Sequence, residues 1–273
     1  MKELVCVVIP IYKNNLSHFE QISLQQCVKV LGKYPIHIIK PSTLAIEEIQ
    51  RNFPTIIIDN FDDVYFKSVQ SYNKLMLSAS FYEYFSQYQY MLIYQLDAFV
   101  FKDELADWCK KGYDYIGAPW RIERDFSSVF DKITFTIKKK IALWFDLKEE
   151  RYGKFGPMEI ILKKTVGNGG FSLRKISKMI AAIKSNQKKI DQYLTLAHSH
   201  PAYNEDMFFC VEMNRYFQKV RVPSWDIALK FAVEHMPEKA YQINGGLPFG
   251  CHAWDIYETG FWKAQIEKFG YAF

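Results

Sequence analysis

The feature that most constrains the fold is an uninterrupted apolar run close to the start of the chain. Residues 4–11 read LVCVVIPI, which is rich in β-branched side chains and carries no charge. A strand with this pattern is buried on both of its faces, as in a parallel sheet covered by helices on each side. The run therefore predicts a central strand of an α/β protein.

Strand and helix patterns alternate after this run. Strands are predicted at 4–11, 36–39, 55–58, 90–101 and 113–116, and helices up to residue 31 and over 68–85, 175–185 and 206–216. Alternation of this kind builds a doubly wound sheet, in which ligands bind at the carboxyl ends of the strands. We therefore expect Tyr12, Lys40 and Asp97 at that edge of the sheet.

Composition indicates a folded protein and argues against several classes. The chain has 273 residues, of which 49% are hydrophobic, so it can bury a large core by itself. Its net charge of +5 is modest and no basic-aromatic repeat is present, which argues against nucleic-acid binding. The five cysteines are spread through apolar segments and are expected to be reduced. No apolar run is long enough for a spanning helix and no leader pattern is present, so the cytoplasm is the expected compartment.

The run at 90–101 carries a single carboxylate, Asp97, between two apolar stretches. A carboxylate in apolar surroundings is costly or becomes neutral unless a positive charge compensates it. We therefore expect Asp97 at a strand end, facing a cation, and it is the first candidate metal ligand. In the alternative interpretation Asp97 is structural and caps the turn at 101–103.

Residues 121–164 mix basic and large apolar side chains, including three consecutive lysines at 138–140. We interpret this segment as an insertion that forms a lid, a partner helix or a helix lying on a membrane surface. A buried helix hairpin is the simpler alternative. A helix on the membrane would place the protein at the inner face of that membrane.

Four clusters of residues stand out in order along the chain. They are QLD at 95–97, GNGGFSLR at 167–174, NED at 204–206 and FGCHAW at 249–254. As a set they resemble bacterial glycosyltransferases of the GT-A type. They most closely resemble an uncharacterised bacterial glycosyltransferase-like family with Gln-x-Asp, Asn-Gly-Gly-Phe-Ser, Glu-Asp and His-x-Trp motifs.

The resemblance implies a single GT-A-like, Rossmann-like α/β domain over residues 1–273. Its mixed, mostly parallel central sheet would be flanked by helices and interrupted by the basic and aromatic insertion. Within this domain, residues 1–120 would form the nucleotide-binding half and 121–164 the insertion or lid. Residues 165–273 would form the acceptor and catalytic half.

The resemblance also implies a divalent metal held against the diphosphate of a nucleotide sugar. Asp97 stands at the last acid of the Asp-x-Asp signature of this fold, and Gln95 replaces the first acid. His252 would complete the site, because relatives of this fold often use a late histidine. Hard cations such as Mg²⁺ and Mn²⁺ take oxygen ligands, and an imidazole favours Mn²⁺. Packing in the core is the alternative for His252.

Glycine-rich residues 167–170 allow the backbone to approach a ligand closely. By resemblance, Gly169 and Gly170 lie under the donor sugar and near the acceptor. A turn that feeds a helix, with Ser172 as its N-cap, is a structural alternative that does not exclude the first.

Glu205 and Asp206 are adjacent acids at the predicted start of a helix, where negative charge is favourable without any function. By resemblance to inverting members of the fold, one of them is the general base that deprotonates the acceptor hydroxyl. We assign this role to Asp206, and to Glu205 the orientation of the acceptor. The sequence leaves open which acid faces the cleft.

Residues after the first strand and on a later helix are candidates for nucleotide binding. Pro10, Tyr12 and Lys13 resemble the residues that receive the nucleobase and ribose in this fold. Asn73 and Lys74 would also reach the nucleotide, with Lys74 as a point charge for the diphosphate. Stacking on sugar rings is a candidate role, with core packing as its alternative, for Trp120, Trp225 and Trp254.

The function implied by the resemblance is a metal-dependent, inverting glycosyltransferase. It would use Mn²⁺ or Mg²⁺ and a nucleotide-diphosphate sugar, with a UDP-sugar preferred, and a bacterial surface glycan or its lipid-linked precursor as acceptor. A nucleotidyltransferase is one alternative, although residues 9–13 lack the glycine-rich, basic signature expected there. A non-catalytic glycan- or nucleotide-binding module is the other, and Gln95 in place of an acid favours it.

Overall fold

The computed structural model describes residues 2–122, 125–151 and 153–273. The strands are, in chain order, β1 Glu3–Pro10, β2 Ile36–Pro41, β3 Ile57–Phe61, β4 Tyr88–Tyr94, β5 Phe99–Val100, β6 Tyr115–Ile116, β7 Pro119–Trp120, β8 Lys148–Arg151, β9 Lys154–Pro157, β10 Thr165–Val166, β11 Phe171–Lys175, β12 Ala232–Val233 and β13 Gly250–Cys251. The α-helices are α1 His18–Leu31, α2 Glu47–Asn52, α3 Val69–Met76, α4 Ala79–Tyr84, α5 Leu105–Lys110, α6 Val129–Trp144, α7 Glu159–Leu162, α8 Ile176–Lys184, α9 Gln187–Leu196, α10 Glu205–Cys210, α11 Trp225–Phe231, α12 Pro237–Asn244 and α13 Thr259–Ile266. Short 3₁₀ helices lie at Asp63–Phe66, Pro201–Tyr203, Glu212–Asn214 and Glu267–Phe269.

A six-stranded mixed sheet forms the centre of the structure, with strand order β3-β2-β1-β4-β11-β6. Strands β3, β2, β1 and β4 are parallel, and β11 pairs antiparallel with both β4 and β6. The predicted α/β class with a mixed, mostly parallel sheet is therefore confirmed. Strand β1 lies between β2 and β4, as the apolar run at 4–11 predicts.

Helices cover both faces of β1. Val5, Val7 and Ile9 belong to one cluster of buried side chains, which includes residues of α1 and α5. Cys6 and Val8 belong to a second cluster, which includes residues of α3, α4 and α8. Successive side chains of a strand point to opposite faces, and burial of each large aliphatic one contributes about 1.5–3 kcal/mol. The run is apolar throughout because neither of its faces meets water.

The helical segment predicted over 68–85 is two helices in the structure. Ser68 caps α3, and Ser78 caps α4 by accepting a hydrogen bond from the Phe81 amide. A serine hydroxyl that bonds to the backbone competes with the continuation of a helix. The prediction of one continuous helix is therefore wrong at its middle.

The strand predicted over 90–101 is also divided. Strand β4 ends at Tyr94, and a turn follows in which the Ala98 amide donates to the Gln95 carbonyl at 2.9 Å. Strand β5 then pairs with β13 in a separate three-stranded sheet. Asp97 lies inside the turn, just past the carboxyl end of β4, so the expectation of an acid at a strand end is confirmed.

The glycine-rich segment leads into a strand and not into a helix. Ser172 lies in β11 opposite Ile93 of β4, and its hydroxyl donates to the Gly169 carbonyl at 2.9 Å. The prediction of Ser172 as a helix N-cap is therefore wrong, because the backbone of Ser172 already takes part in the hydrogen-bond ladder with β4.

Helix α8 begins directly after β11, close to the predicted 175–185. The helix predicted over 206–216 is shorter, consisting of α10 and then a 3₁₀ turn.

The segment 121–164 contains α6, the hairpin of β8 and β9, and α7, while Glu123, Arg124 and Tyr152 lie outside the described residues. Strands β7 and β10 pair antiparallel and join the two ends of the segment. The alternative of a buried helix hairpin is wrong, because a β-hairpin follows α6 and one face of α6 is exposed. Within the described ranges, no helix combines the length and the apolar character needed to cross a bilayer.

Candidate functional site

The carboxyl ends of β1 and β4 open into a cleft of about 860 Å³. The walls are formed by the loop after β1, the start of α3, the turn after β4, the loop before β11 and the start of α10. A cleft of this volume can take a small organic ligand. Its position agrees with the rule that open α/β sheets bind ligands at the carboxyl ends of their strands.

The cleft brings together residues that are far apart in the sequence. The predicted site residues that line it are Pro10, Tyr12, Lys13, Asn73, Gln95, Asp97, Gly169, Gly170, Glu205, Asp206 and His252. Lys74 is exposed outside the lining, because successive residues of a helix point about 100° apart and Asn73 faces the cleft. Lys40 lies near the carboxyl end of β2, so the expectation that it is at this edge of the sheet is confirmed, although it does not line the cleft. Its ammonium group is turned to the loop after β2 and donates to the Leu44 carbonyl at 2.7 Å.

Three potential metal-binding atoms meet at one wall of the cleft. The His252 Nε2 atom lies 3.2 Å from Gln95 Oε1 and 3.2 Å from Asp97 Oδ1. Gln95 Oε1 is hydrogen-bonded to Nε2, whereas Asp97 Oδ1 is buried without a hydrogen bond among the described residues. His252 Nε2 therefore faces two oxygen atoms but forms a hydrogen bond with only one of them, Gln95 Oε1.

This arrangement fits a divalent cation. Neighbouring ligands of a six-coordinate Mg²⁺ ion are about 3.0 Å apart, close to the separations found here. Among the described residues, no three His, Cys, Asp or Glu side chains could hold a metal, so the Gln95 amide oxygen would be the third ligand. Amide and carboxylate oxygens suit Mg²⁺ and Mn²⁺, and the imidazole of His252 shifts the preference towards Mn²⁺.

A second layer of contacts orients the His252 ring. Its Nδ1 atom lies 3.2 Å from Glu234 Oε1 and 3.1 Å from Asn168 Nδ2. Metal-binding histidines usually donate their other ring N–H to such a carboxylate, which fixes the orientation of the imidazole. Burial would lower the pKa of His252, but Asp97 and Glu234 outweigh it and raise this pKa to about 10. Without a metal, the ring is therefore a cation between two carboxylates.

The charge of His252 acts in turn on both acids. Burial alone would raise the pKa of Asp97 and of Glu234. The nearby imidazolium outweighs burial and lowers the pKa of each below its ordinary value. Both carboxylates are thus ionised at neutral pH, and Asp97 faces the His252 ring, whereas its role as a metal ligand stays a prediction.

Gly170 lets the backbone pass directly beside these side chains. A Cβ atom at this position would lie 1.9 Å from His252 Nε2 and 2.6 Å from Gln95 Oε1. Asn168 shapes the loop, since its backbone adopts a left-handed φ of 61° and its side-chain oxygen accepts from the Gly170 amide at 3.1 Å. The residue at 170 must be glycine for the candidate metal ligands to converge.

On the opposite side of the loop, Arg174 holds Glu205. The guanidinium of Arg174 is fully buried and donates to Glu205 Oε1 at 2.8 Å and to the Gly169 carbonyl at 3.1 Å. It also donates to Tyr82 Oη at 2.9 Å and to Ser172 Oγ at 3.0 Å. Charge-assisted hydrogen bonds of this kind fix geometry strongly. Glu205 is therefore a held carboxylate beneath Gly169.

Asp206 lines the same cleft in a different environment. Its Oδ1 atom accepts a hydrogen bond from the Met207 amide at 2.7 Å, at the start of α10. Burial, followed by the charge of Glu205, raises the pKa of Asp206 to about 7. A carboxylate with this pKa can accept a proton near neutral pH, as a general base must.

The nucleotide-side candidates differ in how they are held. Tyr12 lines the cleft with 63% of its side chain exposed, and Lys13 forms an ion pair with Glu20 at 2.8 Å. Asn73 Oδ1 is buried at the cleft and has no hydrogen-bond partner among the described residues. A buried polar atom without a partner is costly, so a ligand donor at this point would be favourable.

The three tryptophans have different positions. Trp120 lines the cleft and is half-buried. Trp254 is fully buried in a third hydrophobic cluster and donates to the Ala98 carbonyl at 3.2 Å, so a sugar-stacking role for it is wrong. Trp225 does not line the cleft, and Lys164 Nζ lies 4.3 Å from its ring centre.

Sequence reasoning did not assign roles to Arg174, Glu234 or Asn168. Arg174 and Asn168 stand inside the GNGGFSLR cluster, so that cluster was the available signal. Glu234 directly follows the short strand β12, next to His235, and nothing in its local sequence connects it with His252. Parallel pairing of β12 with β13 brings these distant residues together.

Comparisons with known proteins agree with the fold. A family profile described as "Protein of unknown function (DUF5672)" matches residues 55–252. No curated protein matches the sequence. Mouse xyloside xylosyltransferase 1, in its apo form, has a similar structure with a TM-score of 0.51 at 12% sequence identity. That match covers 90% of this chain and 96% of the mouse chain, and it shows a GT-A fold.

Two further solved structures are similar at lower scores. The galactosyltransferase LgtC in complex with donor and acceptor sugar analogues has a TM-score of 0.48 at 12% identity, covering 90% of this chain and 86% of that one. The apo bifunctional glycosyltransferase WbbM has a TM-score of 0.49 at 11% identity, covering 92% of this chain. The chain spans 46% of the length of WbbM.

Proposed function

The chain belongs to the family described as "Protein of unknown function (DUF5672)", and from that premise we propose that it is a metal-dependent glycosyltransferase. The donor would be a nucleotide-diphosphate sugar, with a UDP-sugar preferred. The acceptor would be a bacterial surface glycan or its lipid-linked precursor. The GT-A fold supports this reaction class, and the residues of the cleft supply the chemistry.

One observation carries the proposal. His252 Nε2 lies 3.2 Å from both Gln95 Oε1 and Asp97 Oδ1, at a cleft that also contains a carboxylate, Asp206, whose pKa is raised to about 7. A cation site and a proton acceptor facing the same cavity are the two parts that glycosyl transfer from a diphosphate requires. Either part alone has structural explanations, whereas their combination favours catalysis.

In the proposed reaction, each of these residues has a separate role. A divalent ion bound to Asp97, Gln95 and His252 would neutralise the negative charge that develops on the leaving diphosphate. Asp206 accepts the proton of the acceptor hydroxyl, whose oxygen forms a bond to the anomeric carbon. The bond between that carbon and the diphosphate breaks, and its electron pair leaves with the diphosphate. Attack from the face opposite the leaving group inverts the configuration.

Other residues of the cleft position the reactants. Glu205, held by Arg174 at 2.8 Å, would accept a hydrogen bond from an acceptor hydroxyl and orient it towards Asp206. The unpartnered Asn73 Oδ1 would accept a hydrogen bond from a hydroxyl of the donor. The exposed ring of Tyr12 offers a face on which a nucleobase can stack. With these contacts, a donor would lie between the end of β1 and the loop before β11.

The first test is metal-dependent donor binding. We would titrate UDP-, GDP-, CDP- and dTDP-sugars into the purified protein with and without Mn²⁺ and record the melting temperature. A ligand that binds only the folded state raises that temperature by mass action. We expect a Mn²⁺-dependent rise with one nucleotide class, UDP preferred, and its loss in Asp97→Asn.

Asp103→Asn is the matched control. Asp103 is a surface acid paired with Lys33 and does not line the cleft, so this variant should bind the donor as the wild type does. The proposal would be abandoned if no nucleotide sugar raised the melting temperature with Mn²⁺. It would also be abandoned if Asp97→Asn retained the full metal-dependent rise.

A non-catalytic binding module is the second candidate, because Gln95 stands where GT-A enzymes have an acid. The two candidates differ in turnover. An enzyme releases nucleoside diphosphate from its donor in the presence of an acceptor extract, and Asp206→Asn stops the release. A binding module retains the donor intact, and Asp206→Asn leaves donor affinity unchanged.

A further inference from the structure

Helix α6 presents an apolar stripe to solvent. The exposed fractions of Phe130, Ile137 and Trp144 are 77%, 53% and 50%, and Ile133 and Ile141 between them are also exposed. In an ideal helix these five residues project within about 60° of the direction opposite the buried Phe135. A surface helix normally shows charged or polar side chains on its outer face. The outermost face of α6 has the reverse pattern.

The inner face of α6 is fixed to the rest of the protein. Phe135 and Ala142 are buried. Lys139 Nζ donates to the Lys163 carbonyl at 2.6 Å, and the Leu143 carbonyl accepts from Arg215 Nη1 at 2.5 Å. The exposed stripe is therefore held outward by contacts on the opposite side of the helix.

Aromatic side chains extend the stripe at its carboxyl end. Phe145 and Leu147 follow α6 directly and are exposed, as is Phe155 in β9. Arg215 contacts the last turn of α6, and the next two residues, Tyr216 and Phe217, have exposed fractions of 63% and 79%. Exposed apolar side chains in such number mark an interaction site.

Lysines border the stripe on both sides. In an ideal helix, Lys132 and Lys140 project on one side of the stripe and Lys138 on the other. All three are exposed, and in the part of the chain that the structure describes no carboxylate forms an ion pair with them. Asp131 is the single acid in the sixteen residues of α6. Within α6, the charged residues beside the stripe are therefore mostly positive.

The charge favours an anionic membrane over a second copy of the chain. Two copies that met through this stripe would bring lysines against lysines, which repel each other. An amphipathic helix with aromatic residues on its apolar face and lysines beside it is typical of helices that lie in the membrane interface. Each lysine near an anionic bilayer adds attraction, and the apolar side chains enter the boundary between headgroups and acyl chains.

We propose that the stripe formed by Phe130, Ile133, Ile137, Ile141 and Trp144 docks the protein on an anionic phospholipid surface. The docking surface is separate from the cleft residues and does not depend on the proposed transferase activity. The two are nevertheless connected in the fold. Helix α6 lies in the segment whose ends are joined by β7 and β10, and Trp120 of β7 lines the cleft. A docked α6 would keep the cleft close to the membrane surface.

The test is co-sedimentation of the full chain with vesicles. One set of vesicles contains phosphatidylcholine alone, and the other contains phosphatidylcholine mixed with phosphatidylglycerol. We expect wild-type protein to partition to the mixed vesicles at least about tenfold more strongly than to neutral ones. Ile133→Glu/Ile137→Glu should reduce partitioning to the mixed vesicles by at least about tenfold. Lys132→Gln/Lys138→Gln/Lys140→Gln should bind weakly and lose its dependence on salt concentration.

The matched control is Ile57→Glu/Val64→Glu, which makes the same change at exposed apolar residues far from α6 in the chain. It should sediment like the wild type, and circular dichroism should show that all variants are folded. Equal binding of wild type to both vesicle types would overturn the proposal, as would full binding by Ile133→Glu/Ile137→Glu. A wild-type dimer in sedimentation velocity that this variant dissociates, without vesicle binding, would identify the stripe as a dimer interface instead.

Discussion

At the scale of single residues, the adjacent carboxylates of Glu205 and Asp206 have different surroundings, and these surroundings suit them to different roles. Glu205 lies against the buried guanidinium of Arg174, which fixes its position. Asp206 lacks this contact and instead accepts from the backbone at the start of α10. Burial and the charge of Glu205 raise the pKa of Asp206 to about 7. The acid that is not fixed by Arg174 is therefore the one suited to exchange a proton.

Asp206→Asn is expected to remove donor turnover and to stabilise the protein above pH 7. The folded state holds a proton on Asp206 up to about pH 7, whereas the unfolded state loses it near pH 3.8. The folded state thus binds more protons between these values, and wild-type stability falls as pH rises through this window. The asparagine variant lacks this fall in stability, so its free energy of unfolding at pH 8 should exceed that of the wild type by about 1–3 kcal/mol.

Urea unfolding of both proteins at pH 5 and pH 8 measures the difference. The stability gain of Asp206→Asn should be larger at pH 8 than at pH 5, and Asp103→Asn, a change at a surface acid outside the cleft, is the matched control. An equal effect of Asp206→Asn at the two pH values would contradict the raised pKa. Retained turnover in this variant would contradict its role as the base.

At the scale of elements, the sequence predicts best what local patterns determine. The run at 4–11 is β1 because its apolar residues leave no exposed face, and the lone acid at 97 marks the turn after β4. The break between α3 and α4 was missed because Ser78 is a cap in one context and an ordinary helix residue in another. Ser172 was misplaced because pairing with β4, a contact distant in sequence, determines its conformation.

The candidate site likewise combines residues that local motifs reveal with residues that only contacts distant in sequence bring together. Asp97, Gln95 and His252 could be found from motifs, because each stands in a recognisable cluster. The partners that hold them could not, since Glu234 reaches His252 through the pairing of β12 with β13. The pairing of Arg174 with Glu205 likewise depends on how β11 and α10 meet. Residues that touch a ligand leave a sequence signal more often than the residues that position them.

Helix α6 provides a prediction at this scale, because one lysine fixes it to β10. Lys139 Nζ is within 2.5 Å of Thr165 Oγ1, and burial lowers the pKa of Lys139 to about 8. Between about pH 8 and the ordinary value of 10.5, the unfolded state binds more protons than the folded state. Wild-type stability should therefore rise with pH over this window, by about 1–3 kcal/mol, through this residue.

Lys139→Met removes that titration and is the variant to compare. The stability difference between wild type and Lys139→Met, measured by urea unfolding, should move in favour of wild type from pH 8 to pH 10. Lys138→Met is the matched control, since Lys138 is exposed on the same helix. A difference that stayed constant with pH would show that Lys139 titrates normally in the folded protein.

At the scale of the whole molecule, the hydrophobic core and the candidate metal site are largely separate. Three clusters of buried hydrophobic side chains hold the sheet and its helices together, whereas Asp97, Gln95 and His252 make their polar contacts with one another and with Glu234 and Asn168. The carboxylates around His252 are paired with its imidazolium in the absence of a metal. We therefore expect the fold to persist without a bound cation and donor binding to require one.

Removal of metal should consequently abolish ligand binding without unfolding the protein. In EDTA, we expect the melting temperature of the ligand-free chain to change by less than about 2 °C, because no core contact is lost. The rise produced by UDP-sugar should disappear in EDTA and return when Mn²⁺ is added in excess. A thermal scan of the same preparation under the three conditions makes the comparison. A large fall of the ligand-free melting temperature in EDTA would assign the metal a structural role. A donor-induced rise that persists in EDTA would instead show that His252 and its neighbours bind the diphosphate without a metal.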